Sequence, residues 1–222
     1  MDAHPLHRCQ QQDNCADDIL YAECEQLLTS SSEGDVIGIR YCIKQGAGPD
    51  IRNAKNNPAI LLAAHHGHYS VVDALIKYKA DVHACNDDGA TALYQAAANG
   101  HADVVRRLAN ANANIEAHTK SHLTPLITAA QNGKVAVVET LLDLGANANS
   151  RNAMGATPLH LSVFGSHAEC VRVLLDKGAN ASLSIKKGAL AGTVPHEVCA
   201  LLSTPILFAD SADVLWRLNG SN

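Results

Sequence analysis

Aromatic residues are scarce in this sequence: two Phe, one Trp and five Tyr among 222 residues, or 4%. Large β-sandwich cores draw on bulky aromatic and β-branched side chains, so a core dominated by Ala, Leu and Val points instead to closely packed helices. No run of about 18 apolar residues offers a membrane span, and the opening MDAHPLHRCQQQDNCADD lacks the apolar stretch of a secretory signal. A soluble, cytosolic chain is the expectation. Positive charge is not in excess, since 17 Lys and Arg stand against 22 Asp and Glu for a formal net charge of -5. That leaves no electrostatic footprint for a nucleic-acid backbone or an anionic membrane. The seven cysteines (Cys9, Cys15, Cys24, Cys42, Cys85, Cys170, Cys199) are odd in number and without paired spacing, which argues against a disulfide framework. The familiar catalytic signatures HExxH, GxSxG, GxxxxGK and the Rossmann glycine fingerprint are also missing.

What the chain does have is 47% hydrophobic residues, enough for a core, arranged with a period of 33. Gly67, Gly100 and Gly133 share that interval, as do Thr91, Thr124 and Thr157, then Leu75, Leu108, Leu141 and Leu174, then Ala80, Ala113, Ala146 and Ala179. One register aligns them all, with four full units over residues 53–85, 86–118, 119–151 and 152–184. Each unit reads as a turn followed by two antiparallel helices. The threonines can cap the first helix, and Pro125 and Pro158 fall at its first position, where a missing N–H is harmless. Paired alanines (Ala63-Ala64, Ala96-Ala97, Ala129-Ala130) allow neighbouring backbones to approach, and Gly67, Gly100 and Gly133 end the helix in the left-handed region. The second helix carries Val137, Val138, Leu141 and Leu142, or Val171, Leu174 and Leu175, at helical spacing before Gly145 or Gly178 stops it.

Residues 155–181, GATPLHLSVFGSHAECVRVLLDKGANA, resemble the ankyrin repeat almost residue for residue; GATALYQAAANGHADVVRRLANANANI and LTPLITAAQNGKVAVVETLLDLGANAN do so nearly as well. The likeness spans roughly residues 33 to 184. It implies an all-α solenoid of stacked antiparallel helix pairs with β-hairpin finger loops. Residues 17–52 then form an amino-terminal capping repeat without the TPLH turn, the polar residues 1–16 a disordered tail, and residues 185–222 degenerate capping helices near Pro195 to Leu202 and Ser211 to Leu218, with Phe208 and Trp216 packing on the last full repeat. Asn56 and His122 replace the turn glycine and are residue types that tolerate positive φ. At the LANANANI joint, Ala109 and Asn112 stand where neighbours have larger or more flexible residues, which predicts soft packing.

Twelve histidines raise the question of a metal or a catalytic base. His68, His101 and His167 follow the helix-ending Gly or its equivalent, and His160 lies in the TPLH turn, so all four are read as structural. His65, His66 and His68 have no cysteine pair nearby to complete a tetrahedral site. With nearly every residue between 33 and 184 absorbed by the repeat, no catalytic residue, cofactor or metal ligand is assigned, and no enzyme is expected. An activity housed in the terminal segments is the alternative reading, and nucleic-acid binding a more remote one.

The resemblance places a partner on the concave surface lined by the fingers and the exposed part of each first helix. That partner is another protein, and the free chain is expected to be monomeric. The candidate positions are Asp87, Asp88, Lys120, Leu123, Arg151 and Met154 on the fingers, and His65, His66, Tyr94, Gln131, Asn132 and Phe164 in the groove. Binding energy concentrates in aromatic, Met and Arg anchors, so Leu123, Arg151, Met154 and Phe164 form the favoured patch.

Overall fold

A computed structural model describes residues 15–185. The expected carboxyl-terminal helices, the packing of Phe208 and Trp216, and residues 1–14 lie outside the described residues. Ten helices follow in chain order: α1 (Cys15–Glu33), α2 (Val36–Lys44), α3 (Ala59–His65), α4 (Tyr69–Lys77), α5 (Ala92–Asn99), α6 (Ala102–Asn110), α7 (Pro125–Gln131), α8 (Val135–Asp143), α9 (Pro158–Phe164) and α10 (Ala168–Asp176). Helix α1 takes in the last two residues of the expected tail.

The helices form two rows. Odd-numbered helices touch in sequence from α1 to α9, and even-numbered ones from α2 to α10. Each unit therefore covers apolar surface that its neighbour cannot hide alone. The first helices are so enclosed that α7 exposes only Gln131 and α9 only Phe164, with Leu161 half-buried. Alanine makes this possible: Ala63, Ala64, Ala96, Ala97, Ala129 and Ala130 are fully buried between rows. The repeated leucines Leu75, Leu108, Leu141 and Leu174 are likewise inaccessible.

Local chemistry sets the boundaries. Thr91, Thr124 and Thr157 accept hydrogen bonds from the amides of Tyr94, Ile127 and His160, and the His160 ring answers Thr157 to complete a capping box. Asn53, Asn86 and Asn152 each accept two amide hydrogens with one side-chain oxygen and so shape the finger tips. The expected β-hairpins are short: each finger closes on two backbone bonds, as from Asn86 N to Ala90 O and from Gly89 N to Asn86 O, and the described residues contain only two isolated antiparallel bridges, Arg52 with Pro58 and Cys85 with Thr91.

Asn56 and His122 adopt φ of 56° and 57°, in the left-handed region expected for the turn glycine they replace. Gly67 and Gly133, whose φ is also positive, are glycine for a second reason. A Cβ on Gly67 would sit 2.4 Å from His101 Nδ1, and one on Gly133 2.6 Å from His167 Nδ1. The imidazole of each following repeat slides into the space a side chain would fill. Its Nε2 then bonds a carbonyl one repeat back: His68 to Ser32 O, His101 to His65 O, His167 to Gln131 O. Lys134 interrupts this series, and Asn132 takes over by donating to Ala98 O at 2.9 Å. In the same register as Gly67 and Gly133, Ser166 holds φ 56°.

The LANANANI joint differs from its neighbours in one visible way. Asp50, Glu116 and Asn149 each accept the backbone amide 31 residues onward. His83 occupies the equivalent position and a neutral or charged imidazole ring does not reproduce a carboxylate or amide oxygen there.

Candidate functional site

The candidate positions fall into three groups by what already holds them. Arg151 is half-buried, and its Nη1 donates to Gly155 O at 3.0 Å and Ser184 O at 2.9 Å. Arg52 does the same work three repeats earlier, donating to Asn56 O and to Cys85 O. Both guanidinium groups are struts between successive fingers, and Arg151 is therefore less available as an anchor than its residue type suggested. Asp87 is exposed but accepts from Asn56 Nδ2 at 2.6 Å. Lys120 and Asp88 are exposed side chains whose backbones join adjacent fingers, from Lys120 N to Asp88 O at 2.9 Å.

In the groove, Gln131 and Asn132 are exposed, with Asn132 tied back to Ala98 O as described. Tyr94 is half-buried on the first turn of α5. His65 Nδ1 lies 3.1 Å from Gln95 Oε1 and 3.2 Å from Asn99 Nδ2. The neutral ring either donates to Gln95 or accepts from Asn99, depending on its tautomer. His66 packs edge-on to His65 and stacks on His68, with centroids 4.8 Å and 5.8 Å apart. Among the described residues no group of three or more His, Cys, Asp or Glu is placed to hold a metal ion.

Burial, and then the neighbouring His65, His68 and His101, lower the His66 pKa below its ordinary 6.5. A histidine that prefers its neutral form when folded adds nothing above pH 6.5, where it is neutral in both states. It destabilises as pH falls from there through the depressed folded value. The melting temperature is accordingly expected to drop between pH 7 and pH 5 more steeply in the parent than in His66→Asn, the residue found in register at Asn99 and Asn132. Parallel pH profiles for the two proteins would show that the imidazole cluster is inert.

Leu123, Met154 and Phe164 complete the set. Leu123 is half-buried within its finger, its amide bonded to Thr119 Oγ1. Met154 is 51% exposed at a finger tip and Phe164 37% exposed at the end of α9. Their register partners are polar or small: Lys55, Asp88 and Ser121 for Met154, and His65, Ala98 and Gln131 for Phe164. The structure thus separates two free apolar side chains in the last described repeat from an arginine committed to the scaffold.

The Cys42 and Cys170 thiols are pushed up to about 11, each first by burial, so they stay protonated at neutral pH. Asn149, which resembles the hairpin asparagine modified by asparaginyl hydroxylases in ankyrin proteins, uses its side-chain oxygen to accept Asn180 N at 2.7 Å. Sequence reasoning missed Gln95, which positions the His65 ring, and two exposed residues on α2, Ile37 and Tyr41.

Two rows of helices, enclosed first helices and linked fingers define an all-α repeat solenoid. The family described as ankyrin repeats (3 copies) matches residues 27–119 and 111–185, and the chain belongs to that family. No curated protein matches it. Ankyrin repeats generally serve to bind other proteins, and proteins built from them are typically not enzymes. No helix among the described residues is long and apolar enough to cross a membrane.

Proposed function

We propose that this chain is a non-enzymatic interaction protein, a scaffold, adaptor or stoichiometric inhibitor, that binds a partner protein along its finger and first-helix surface. Met154 and Phe164 are its principal anchors. The observation carrying this reading is the exposure of both apolar side chains at register positions where the preceding repeats hold polar or small residues. An exposed Met and an exposed aromatic in one repeat give adaptable and rigid apolar contact respectively, and such residues concentrate binding energy when a partner excludes water from them. The flanking Gln131, Asn132, Lys120 and Asp88 supply a rim of mixed charge and hydrogen-bonding capacity, which fits a protein surface better than a uniformly anionic polymer.

Affinity capture from the native cell identifies the partner, and titration of the purified pair then tests the patch. Phe164→Ala combined with Met154→Ala is expected to weaken binding at least tenfold, or about 1.4 kcal/mol. Helicity should be unchanged because both side chains lie outside the core. Unaltered affinity in a folded double variant rejects these anchors.

A further inference from the structure

The most exposed large apolar residue among those described is not on the concave surface. It is Ile37, 81% exposed, one turn before Tyr41, which is 54% exposed. Helix α2 displays Ile37, Arg40, Tyr41 and Lys44 to solvent, at the i, i+3, i+4, i+7 spacing of a single helix face. Helix α1 displays Ala22, Glu25, Gln26, Thr29 and Glu33 in the same manner. The two stripes share one surface, because Ala22, Glu23 and Gln26 from α1 and Ile37, Gly38 and Tyr41 from α2 line a common cleft of about 470 Å³.

Register explains why this face is unusual. The counterparts of Tyr41 are Ala74, Arg107, Thr140 and Val173, and each is covered by the repeat before it: Arg107 by an ion pair with Asp73, Thr140 by a hydrogen bond from Arg106. Ala74, Thr140 and Val173 are buried. The counterparts of Ile37 are exposed throughout, and they are Ser70, Asp103, Ala136 and Glu169. Four repeats thus keep that position small or polar, while the first places Ile there. An end unit is required to tolerate water on its outer face, and Tyr41, uncovered where its counterparts are covered and one turn from an isoleucine set out in solvent, departs from that requirement.

We infer that this end face is a self-association surface, and that its occupant is the same face of a second copy related by a twofold axis. In an isologous contact each α2 lies over the partner copy's α1, and the reverse holds by symmetry. The apolar stripe of α2 carries exposed Arg40 and Lys44 and the end of α1 carries exposed Glu33, so these parts of the surface are complementary in charge, while Glu23 and Asp35 line the cleft itself. The cleft receives the partner copy's Ile37 or Tyr41. Two short helices bury on the order of 1,000 Å² in total, the low end for a specific interface, which fits a weak and concentration-dependent dimer. This departs from the monomer expected from the sequence, and it is independent of the concave anchors.

Sedimentation velocity on the full chain tests the inference over roughly 1 to 300 µM, the range in which weak dimers form. The apparent mass should climb from 23.4 kDa toward twice that value, and the rise should shrink at high salt. Ile37→Asp should remain at the monomer mass, while Phe164→Ala with Met154→Ala should associate as the parent does. Arg40→Glu with Lys44→Glu, and separately Glu33→Lys, should each lose association at least tenfold, and mixing the two proteins should restore it. A parent that stays monomeric throughout overturns the inference and points to another occupant of the cleft. So does an Ile37→Asp protein that dimerises undiminished, or a mixture of charge variants that fails to recover while both remain helical.

Discussion

Gly67→Ala is expected to lower the unfolding free energy by about 2–4 kcal/mol in chemical denaturation followed by circular dichroism. Two costs combine at this position. The residue holds φ +76°, where an L side chain is strained by about 1–2 kcal/mol. The added Cβ would also meet the His101 ring at 2.4 to 2.8 Å, and that ring cannot move away without stretching its 3.1 Å bond to His65 O. Gly145→Ala separates the two effects, since Gly145 has φ +88° and a Cβ added there would meet no atom within 4 Å. It should show only the strain. Adding His101→Ala to Gly67→Ala should recover the steric part, giving a coupling energy in the double-mutant cycle. Equal losses at Gly67 and Gly145 would mean that the imidazole gives way freely and does not lock one repeat to the next.

Leu108→Ala is the second large effect, about 2–5 kcal/mol, comparable with a sizeable share of a typical domain's stability. Leu108 is fully buried in α6, the helix that links α4 to α8, so its loss weakens two inter-repeat contacts at once. The magnitude within that range reports on the joint beside it. Ala109, which follows Leu108, is half-buried and small, and the missing oxygen at His83 leaves this loop with one restraint fewer. Leu141→Ala, whose half-buried neighbours Leu142 and Leu144 form a stiffer wall, should therefore cost more than Leu108→Ala. Amide hydrogen exchange offers an independent reading: residues of α6 should lose protection in the Leu108 variant before those of α8 and α9. The reverse order of costs, or uniform loss of protection, would show the joint to be packed as tightly as the rest.

The period of 33 was sufficient to place the helix pairs because each boundary is chemically marked in its own segment. Thr91, Thr124 and Thr157 cap, Gly100 and Gly133 turn, and buried leucines recur on one helical face. Local signals of that kind are carried by the residues themselves. The candidate site was legible only in part, since availability depends on neighbours 31 to 36 residues away. Arg151 reads as a hot spot by residue type, yet its fork is engaged by the carbonyls of Gly155 and Ser184, and nothing in RNAMG announces the second of these. Met154 and Phe164 were recognisable because apolar residues interrupt polar columns. Ile37 interrupts its column as plainly, against Ser70, Asp103, Ala136 and Glu169, but its weight emerges only once Tyr41 is seen without the covering that later repeats give its counterparts.

Ser166 restricts which unit can be stacked after it. At Gly67 and Gly133 the bare α-carbon is a keyhole for the next unit's imidazole, whereas Ser166 carries a Cβ in the same left-handed conformation. A copy of residues 86–118 could not be grafted after it without displacing its own histidine. Lengthening the array by design with such a histidine-bearing unit would first require Ser166→Gly, so one hydroxymethyl group decides which kind of unit that joint accepts.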